Sequence, residues 1–108
     1  TMGADGLDLV GEVADDGGEV VAYAVTFLTY STFRAQPTLY LEDLFVGPQA
    51  RRRGIATAIL NRLRQEAEAQ GCGRLEWVVL DWNEDAKALY RKVGASLLPD
   101  FRLCRVDL

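Results

Sequence analysis

Tyr40-Leu41-Glu42-Asp43-Leu44-Phe45-Val46 sets two adjacent carboxylates inside an apolar run, and Arg51, Arg52 and Arg53 follow it, directly before Gly54-Ile55-Ala56. A strand, a cationic turn, a small-residue step and then an amphipathic helix make an anion cradle. The N–H groups of the helix start point at the ligand, small residues let a phosphate approach, and cationic side chains stand beside it. A phosphate-bearing cofactor is the first chemistry this order suggests, and the carboxylates on the preceding strand suggest a cationic reactant. From these residues alone, a charged loop ahead of an ordinary helix is the competing reading. A Walker-type nucleotide loop is disfavoured because no Gly-Lys-Ser/Thr follows.

Bulk composition narrows the field. The chain has 108 residues, enough for one domain, and 49% of them are hydrophobic, enough for a core. No run approaches the roughly 20 apolar residues of a membrane span. The N-terminus is acidic and Gly-rich, unlike a signal peptide, and a cytoplasmic protein without membrane partners is expected. Cys72 and Cys104 lack metal-ligand spacing and there is no histidine, so no metal site is expected and the cysteines are read as reduced thiols. The same absence removes Ser-His and Cys-His nucleophile schemes. A net charge of −4 argues against a nucleic-acid partner and for a cationic or small-molecule one.

The elements that must position these residues follow from pattern. Leu7 to Val13 reads as a short strand, and Asp15-Asp16-Gly17-Gly18 as a turn. Glu19 to Tyr30 is a long strand rich in β-branched and aromatic residues. Ser31 to Gln36 connects to a strand over Thr38 to Val46, which Gly47-Pro48 stops. Gly54 to Gln70 is a helix with Ile55, Ile59, Leu63 and Ala67 as its buried stripe and Gly71 just past its end. Arg74 to Leu80 reads as a strand whose run Trp77 to Leu80 is buried on both faces. Asn83 caps a second helix with Ala86, Leu89, Tyr90 and Val93 on one side, closed by Gly94. Residues 95–107 read as one or two final strands around Pro99-Asp100. The expected order is β-β-β-α-β-α-β: an antiparallel meander, then a β-α-β unit with neighbouring parallel strands.

Arg51-x-x-Gly54-x-Ala56 resembles the acetyl-CoA signature of the GCN5-related N-acetyltransferases. It sits between a strand and an amphipathic helix and is followed by Val79-Leu80-Asp81-Trp82-Asn83 and Ala88-Leu89-Tyr90-x-x-x-Gly94-Ala95. The stretch Tyr40 to Val46 and the pair Trp82-Asn83 are similar to the spermidine/spermine (diamine) and thialysine branch. The likeness covers roughly residues 18–106. It implies an α/β fold with the mixed sheet of that family: antiparallel early strands, then a β-α-β-α-β unit, over a single domain, 1–108. The usual first strand and one or two helices, which form one wall of the acceptor site in family members, are expected to be missing. Ala56 stands where the signature often has glycine.

The resemblance also implies roles. Arg51, Arg52, Arg53, Gly54, Ile55, Ala56 and Thr57 would hold the pyrophosphate of coenzyme A, through backbone N–H groups and the helix dipole, with Gly54 free to take positive φ. Leu44, Phe45 and Val46 would lie along the pantetheine like an added strand, and a backbone N–H near Phe45 or Val46 would act as oxyanion donor. These residues serve equally as a core strand, because the two uses draw on backbone and side chains separately. Tyr90 would be the general acid for the departing thiolate; spacing alone makes it a core tyrosine. Glu42 would meet the amine and take its proton through water; a solvated pair with Asp43 is the plainer reading. Because Glu42 and Asp43 are adjacent on a strand, they are expected on opposite faces. Asp43, Asp81 and Asp100 are candidate acceptor contacts. Asn83 serves as helix cap, as pantetheine partner, or both, and Ala86 joins the cofactor contacts.

The function implied is transfer of acetyl from acetyl-CoA to a primary amine of a small polyamine or diamine, by direct attack without a covalent enzyme intermediate. A protein acetyltransferase acting on lysines or N-termini is one alternative, and a non-catalytic acyl-CoA-binding module is another. An open sheet edge and an uncovered apolar face predict a homodimer.

Overall fold

A computed structural model of the chain describes residues 8–10, 13–16, 19–30, 35–48, 51 and 54–108. Arg52, Arg53, Gly17, Gly18, residues 1–7 and most of the Ser31–Gln36 connection lie outside them. The chain divides into two compact units, Thr1–Val78 and Val79–Leu108.

The first unit is a five-stranded sheet in the order β1-β2-β3-β4-β5, with one helix. β1 (Asp8–Val10), β2 (Val13–Asp16), β3 (Glu19–Tyr30) and β4 (Pro37–Val46) run antiparallel in sequence, and β5 (Arg74–Glu76) joins β4 in parallel after α1 (Ile55–Ala69). The fold class is therefore the expected α/β mixed sheet. The single strand expected over Leu7 to Val13 is instead two, because Val10 pairs with Val13 across a hairpin.

Ala22, Ala24, Thr26 and Leu28 of β3 share the face on which Leu39 and Leu41 of β4 lie, since Leu28 is opposite Leu39 and Thr26 opposite Leu41. Ala22, Leu39 and Leu41 are buried there, and so are Ile55, Ile59, Leu60, Leu63 and Ala67 of α1, which packs on β3, β4 and β5. Ile59 and Leu63 are fully buried, and each such side chain contributes about 1.5–3 kcal/mol relative to exposure. The stripe read from the sequence is the one that packs, with Leu60 added.

The ladder between β3 and β4 slips once: Val25 is opposite Asp43 but Thr26 is opposite Leu41, which leaves Glu42 as an extra residue, a β-bulge. The expectation that Glu42 and Asp43 alternate strictly across the sheet fails here, because a bulge suspends the two-residue period and bends its strand. Parallel pairing with β5 also stops at Tyr40–Glu76, just before the bulge. The strand expected to reach Leu80 thus ends at Glu76. Nor is Trp77 to Leu80 buried on both faces: Val78 and Leu80 are exposed and Trp77 and Val79 are half-buried.

The second unit holds α2 (Glu84–Lys92). Residues 95–108 form no strand, against expectation. A strand is defined by a partner that satisfies its backbone, and among the described residues this segment closes local bonds, such as Phe101 N–H to Leu98 O. Among the described residues no helix is long and apolar enough to cross a membrane.

Candidate active site

β4 changes character at Glu42. Up to Tyr40 it is an interior strand, paired on both sides; from Leu41 to Val46 its β5-side edge has no strand partner among the described residues. Leu44, Phe45 and Val46 lie on this open edge. The strand exit is pinned to β3 by Gly47 N–H donating to Val21 O at 2.7 Å. The Arg51 Nε–H donates back to Val46 O at 3.3 Å, so this guanidinium ties the turn to the strand end. Sequence reasoning gave it only an anion to hold.

Gly54 then opens α1 with φ 74° and ψ 13°, the left-handed conformation that side chains other than glycine adopt at a cost. No side chain caps this helix start, and its first turn carries no acidic residue. Ile55 is buried, while Ala56 and Thr57 are half-buried. The first N–H groups of a helix have no intrahelical partner and carry the positive end of its dipole. An open strand edge that ends beside an uncapped helix start suits an extended ligand with an anionic end.

The carboxylates of β4 differ in surroundings. Glu42 and Asp43 are both exposed, and neither pairs with a cation among the described residues. Asp43 accepts a long hydrogen bond from the Tyr23 hydroxyl, at 3.5 Å. The Tyr23 and Phe45 rings stack, with centroids 5.3 Å apart. Nothing in the sequence reading had singled out Tyr23; its phase along β3 was the available signal.

In the second unit, Asn83 Oδ1 accepts from Ala86 N–H at 3.1 Å, which verifies the cap and accounts for the backbone donor of Ala86. Asp81 is held by Lys87, whose Nζ lies 2.9 Å from Asp81 Oδ1 and 3.4 Å from Glu84 Oε1. Hydrogen bonding and charge from Lys87 depress the Asp81 carboxyl below the usual aspartate range. This candidate for a substrate ammonium already has a cation. Asp100 is exposed in a turn after Pro99.

Tyr90 is half-buried on α2, and desolvation lifts its phenol above the ordinary tyrosine range. Its carbonyl accepts from Ala95 N–H at 2.9 Å while Gly94 N–H bonds Arg91 O at 3.0 Å, with Gly94 at φ 96°. This is a Schellman motif. The spacing Tyr90-x-x-x-Gly94-Ala95 thus has a local structural basis, because it locks the turn that carries the phenol.

Comparison with known proteins agrees with this geometry. Residues 4–95 match the model of the Acetyltransferase (GNAT) family. The L-ornithine N5-acetyltransferase of Arabidopsis thaliana is 36% identical over 87 residues, covering 81% of this chain and 38% of that protein. The thialysine N-epsilon-acetyltransferase of Caenorhabditis elegans is 42% identical over 83 residues, covering 77% of this chain and 51% of its own length. The chain thus spans about half or less of these relatives. An integron cassette protein from the mobile metagenome of V. cholerae superimposes with a TM-score of 0.83 at 27% identity, over 88% of this chain and 59% of that one. With 92 of its residues, 4 to 95, inside one family model and a mixed sheet in which β4 parts from β5 beyond Tyr40, this chain belongs to the acetyltransferase (GNAT) family.

Proposed function

We propose that the chain is the acetyl-CoA-dependent core of an N-acetyltransferase whose acceptor is a primary amine on a small diamine- or polyamine-like molecule. The observation that carries this reading is the release of β4 from β5 after Tyr40, with the freed edge running to the uncapped start of α1. The activities for which the plant and nematode relatives are named, on ornithine and thialysine, support an amine acceptor.

Acetyl-CoA supplies a thioester as acyl donor. On this reading the edge of Leu44, Phe45 and Val46 takes the pantetheine, and a backbone N–H near Phe45 or Val46 receives the acetyl carbonyl. The turn from Arg51 to Thr57, with Arg52, Arg53, Gly54, Ile55 and Ala56, takes the pyrophosphate, and Asn83 and Ala86 complete the cofactor contacts. Glu42 draws a proton from the substrate ammonium through water, because an ammonium has no lone pair to attack with. Tyr90 gives its proton to the leaving sulfur; a phenol held protonated by burial suits that role. Asp43 and Asp100 are acceptor contacts, and Asp81 becomes one only by giving up Lys87. Residues 1–108 act as one domain. Exposed Phe101, Leu103, Val106 and Leu108 support assembly as a homodimer.

The test is titration calorimetry of acetyl-CoA into the protein, followed in the same sample by thiol release with a diamine, a polyamine and a lysine analogue. Binding with release to a small amine is expected. Binding without release would point to a non-catalytic acyl-CoA module, and absence of binding would overturn the cradle. Light scattering at micromolar concentration is expected to give twice the protomer mass.

A further inference from the structure

The sheet face opposite the Leu39–Leu41 face has its own composition. Register places Tyr23, Val25 and Phe27 of β3 beside Tyr40, Asp43 and Phe45 of β4: Tyr23 is opposite Phe45, Val25 opposite Asp43, and Phe27 opposite Tyr40. Without the bulge at Glu42, Tyr40 and Asp43 would fall on opposite faces, three residues apart in a period of two. The bulge therefore sets one carboxylate between two aromatic pairs. Tyr23 and Phe45 stack at 5.3 Å on one side, and Phe27 and Tyr40 meet at 5.2 Å on the other. Val25, Phe27 and Phe45 are each more than 40% exposed, so the patch is reachable. Asp43 is the charged member of these six residues, with a hydroxyl neighbour at 3.5 Å and no cation partner among the described residues; Glu76 of β5 lies opposite Tyr40.

Ring faces carry negative potential and attract a cation, and they also receive the methylenes attached to it. A carboxylate with aromatic walls thus recognises an alkylammonium by charge and by apolar contact together. Of the other candidate carboxylates, Asp81 is already held by Lys87, and Glu42 and Asp100 are exposed outside the two ring pairs. We propose that Asp43, walled by Tyr23 and Phe45, is the subsite for the second ammonium of a diamine acceptor, and that Tyr23 is the residue that sets the preference for diamines. The proposal rests on the amine-acetyltransferase reading for its substrate class. It goes beyond that reading in assigning the second ammonium to Asp43 and in giving Tyr23 a role.

The test is a matched pair of probes, 1,4-diaminobutane and butylamine, titrated calorimetrically into the full chain and then assayed for thiol release with acetyl-CoA. The expected result is tighter binding of the diamine. Asp43→Asn should weaken it about fivefold and Tyr23→Leu about threefold, with butylamine unmoved, as suits a surface charge pair and a cation–π contact. Asp43→Glu should restore part of the preference, and Glu68→Gln, on the exposed side of α1, should change nothing. Equal binding of the two amines, or a diamine preference that survives in both variants, overturns the proposal. Preference without thiol release would sink the acetyltransferase reading and leave the subsite standing. Thiol release without preference would do the reverse.

Discussion

The two helices end alike and begin oppositely. α1 closes with Gly71 at φ 73° and Cys72 N–H bonded to Ala67 O; α2 closes with Gly94 at φ 96° and Ala95 N–H bonded to Tyr90 O. Both are Schellman caps written into the sequence by a glycine. At the other end, α2 satisfies itself: Asn83 caps it, and Glu84 and Asp85 place negative charge in its first turn. α1 has a left-handed glycine, no capping side chain and no acid. A helix start that supplies its own acceptors is closed to anions, and one that supplies none leaves its donors for a ligand. Under the proposed function, α1 would work through the backbone of its start, and α2 through a side chain on its body.

The largest expected effect tests the side-chain half. Tyr90→Phe should lower kcat about 100-fold, within the usual range for loss of a general acid, and leave acetyl-CoA affinity unchanged. Wild-type activity should hold past pH ~10, where an ordinary tyrosine titrates, because burial raises this phenol and keeps its proton to higher pH. Steady-state thiol release across pH measures both. A kcat within threefold of wild type would make Tyr90 a packing residue.

Next comes the backbone half. Gly54→Val forces a β-branched residue to φ 74°, which costs roughly 1–2 kcal/mol and narrows the turn. Acetyl-CoA affinity should fall at least about tenfold, equivalent to about 1.4 kcal/mol. Gly71→Val imposes the same strain at the far end of α1, where a β-carbon meets nothing within 4 Å. It should lower stability similarly and leave affinity untouched. Urea unfolding and calorimetry on both variants separate strain from recognition; equal losses of affinity would break the comparison.

A smaller effect probes the closed start. Asn83→Ala removes the acceptor for Ala86 N–H and should cost about 1 kcal/mol of stability. Asn83→Asp keeps an acceptor and should keep the stability. If acetyl-CoA affinity falls in both variants, Asn83 also serves the pantetheine; if it falls in neither, the cap is its whole role.

Much of this was legible because local rules govern it. The stripe of α1, both glycine stops and the Asn83 cap follow from spacing and residue type. The bulge was legible but unread: the buried or half-buried Leu and Val residues of β4 run Leu39, Leu41, then Leu44, Val46, so their phase slips by one while β3 keeps its own from Ala22 to Leu28. A slipped phase in one strand of a regular pair is a bulge signal. The end of β5 at Glu76 was not legible, because it depends on where β4 turns away and so on a partner distant in sequence. The same holds for residues 95–108, whose alternation at Phe101 and Leu103 suits a strand that here has no partner.

The smallest expected effect lies at Asp81, and the reason is redundancy. Its carboxyl is depressed chiefly by the hydrogen bond from Lys87, so the pair favours the folded state above the ordinary aspartate pKa near about 3.9 and is lost as pH falls through the lowered folded value. Yet Asp81 is exposed, where solvent screens the attraction, and Lys87 keeps Glu84 within 3.4 Å when Asp81 is removed. Asp81→Asn should therefore lower the melting temperature slightly at pH 7, less than Asn83→Ala does, and the difference should shrink toward pH 2 as Asp81 takes up its proton. Thermal melts at the two pH values measure it. A gap that persists at pH 2 would mean that the Asp81 side chain contributes through packing or hydrogen bonding rather than charge. The start of α2 would then depend on more than its own cap and first-turn acids.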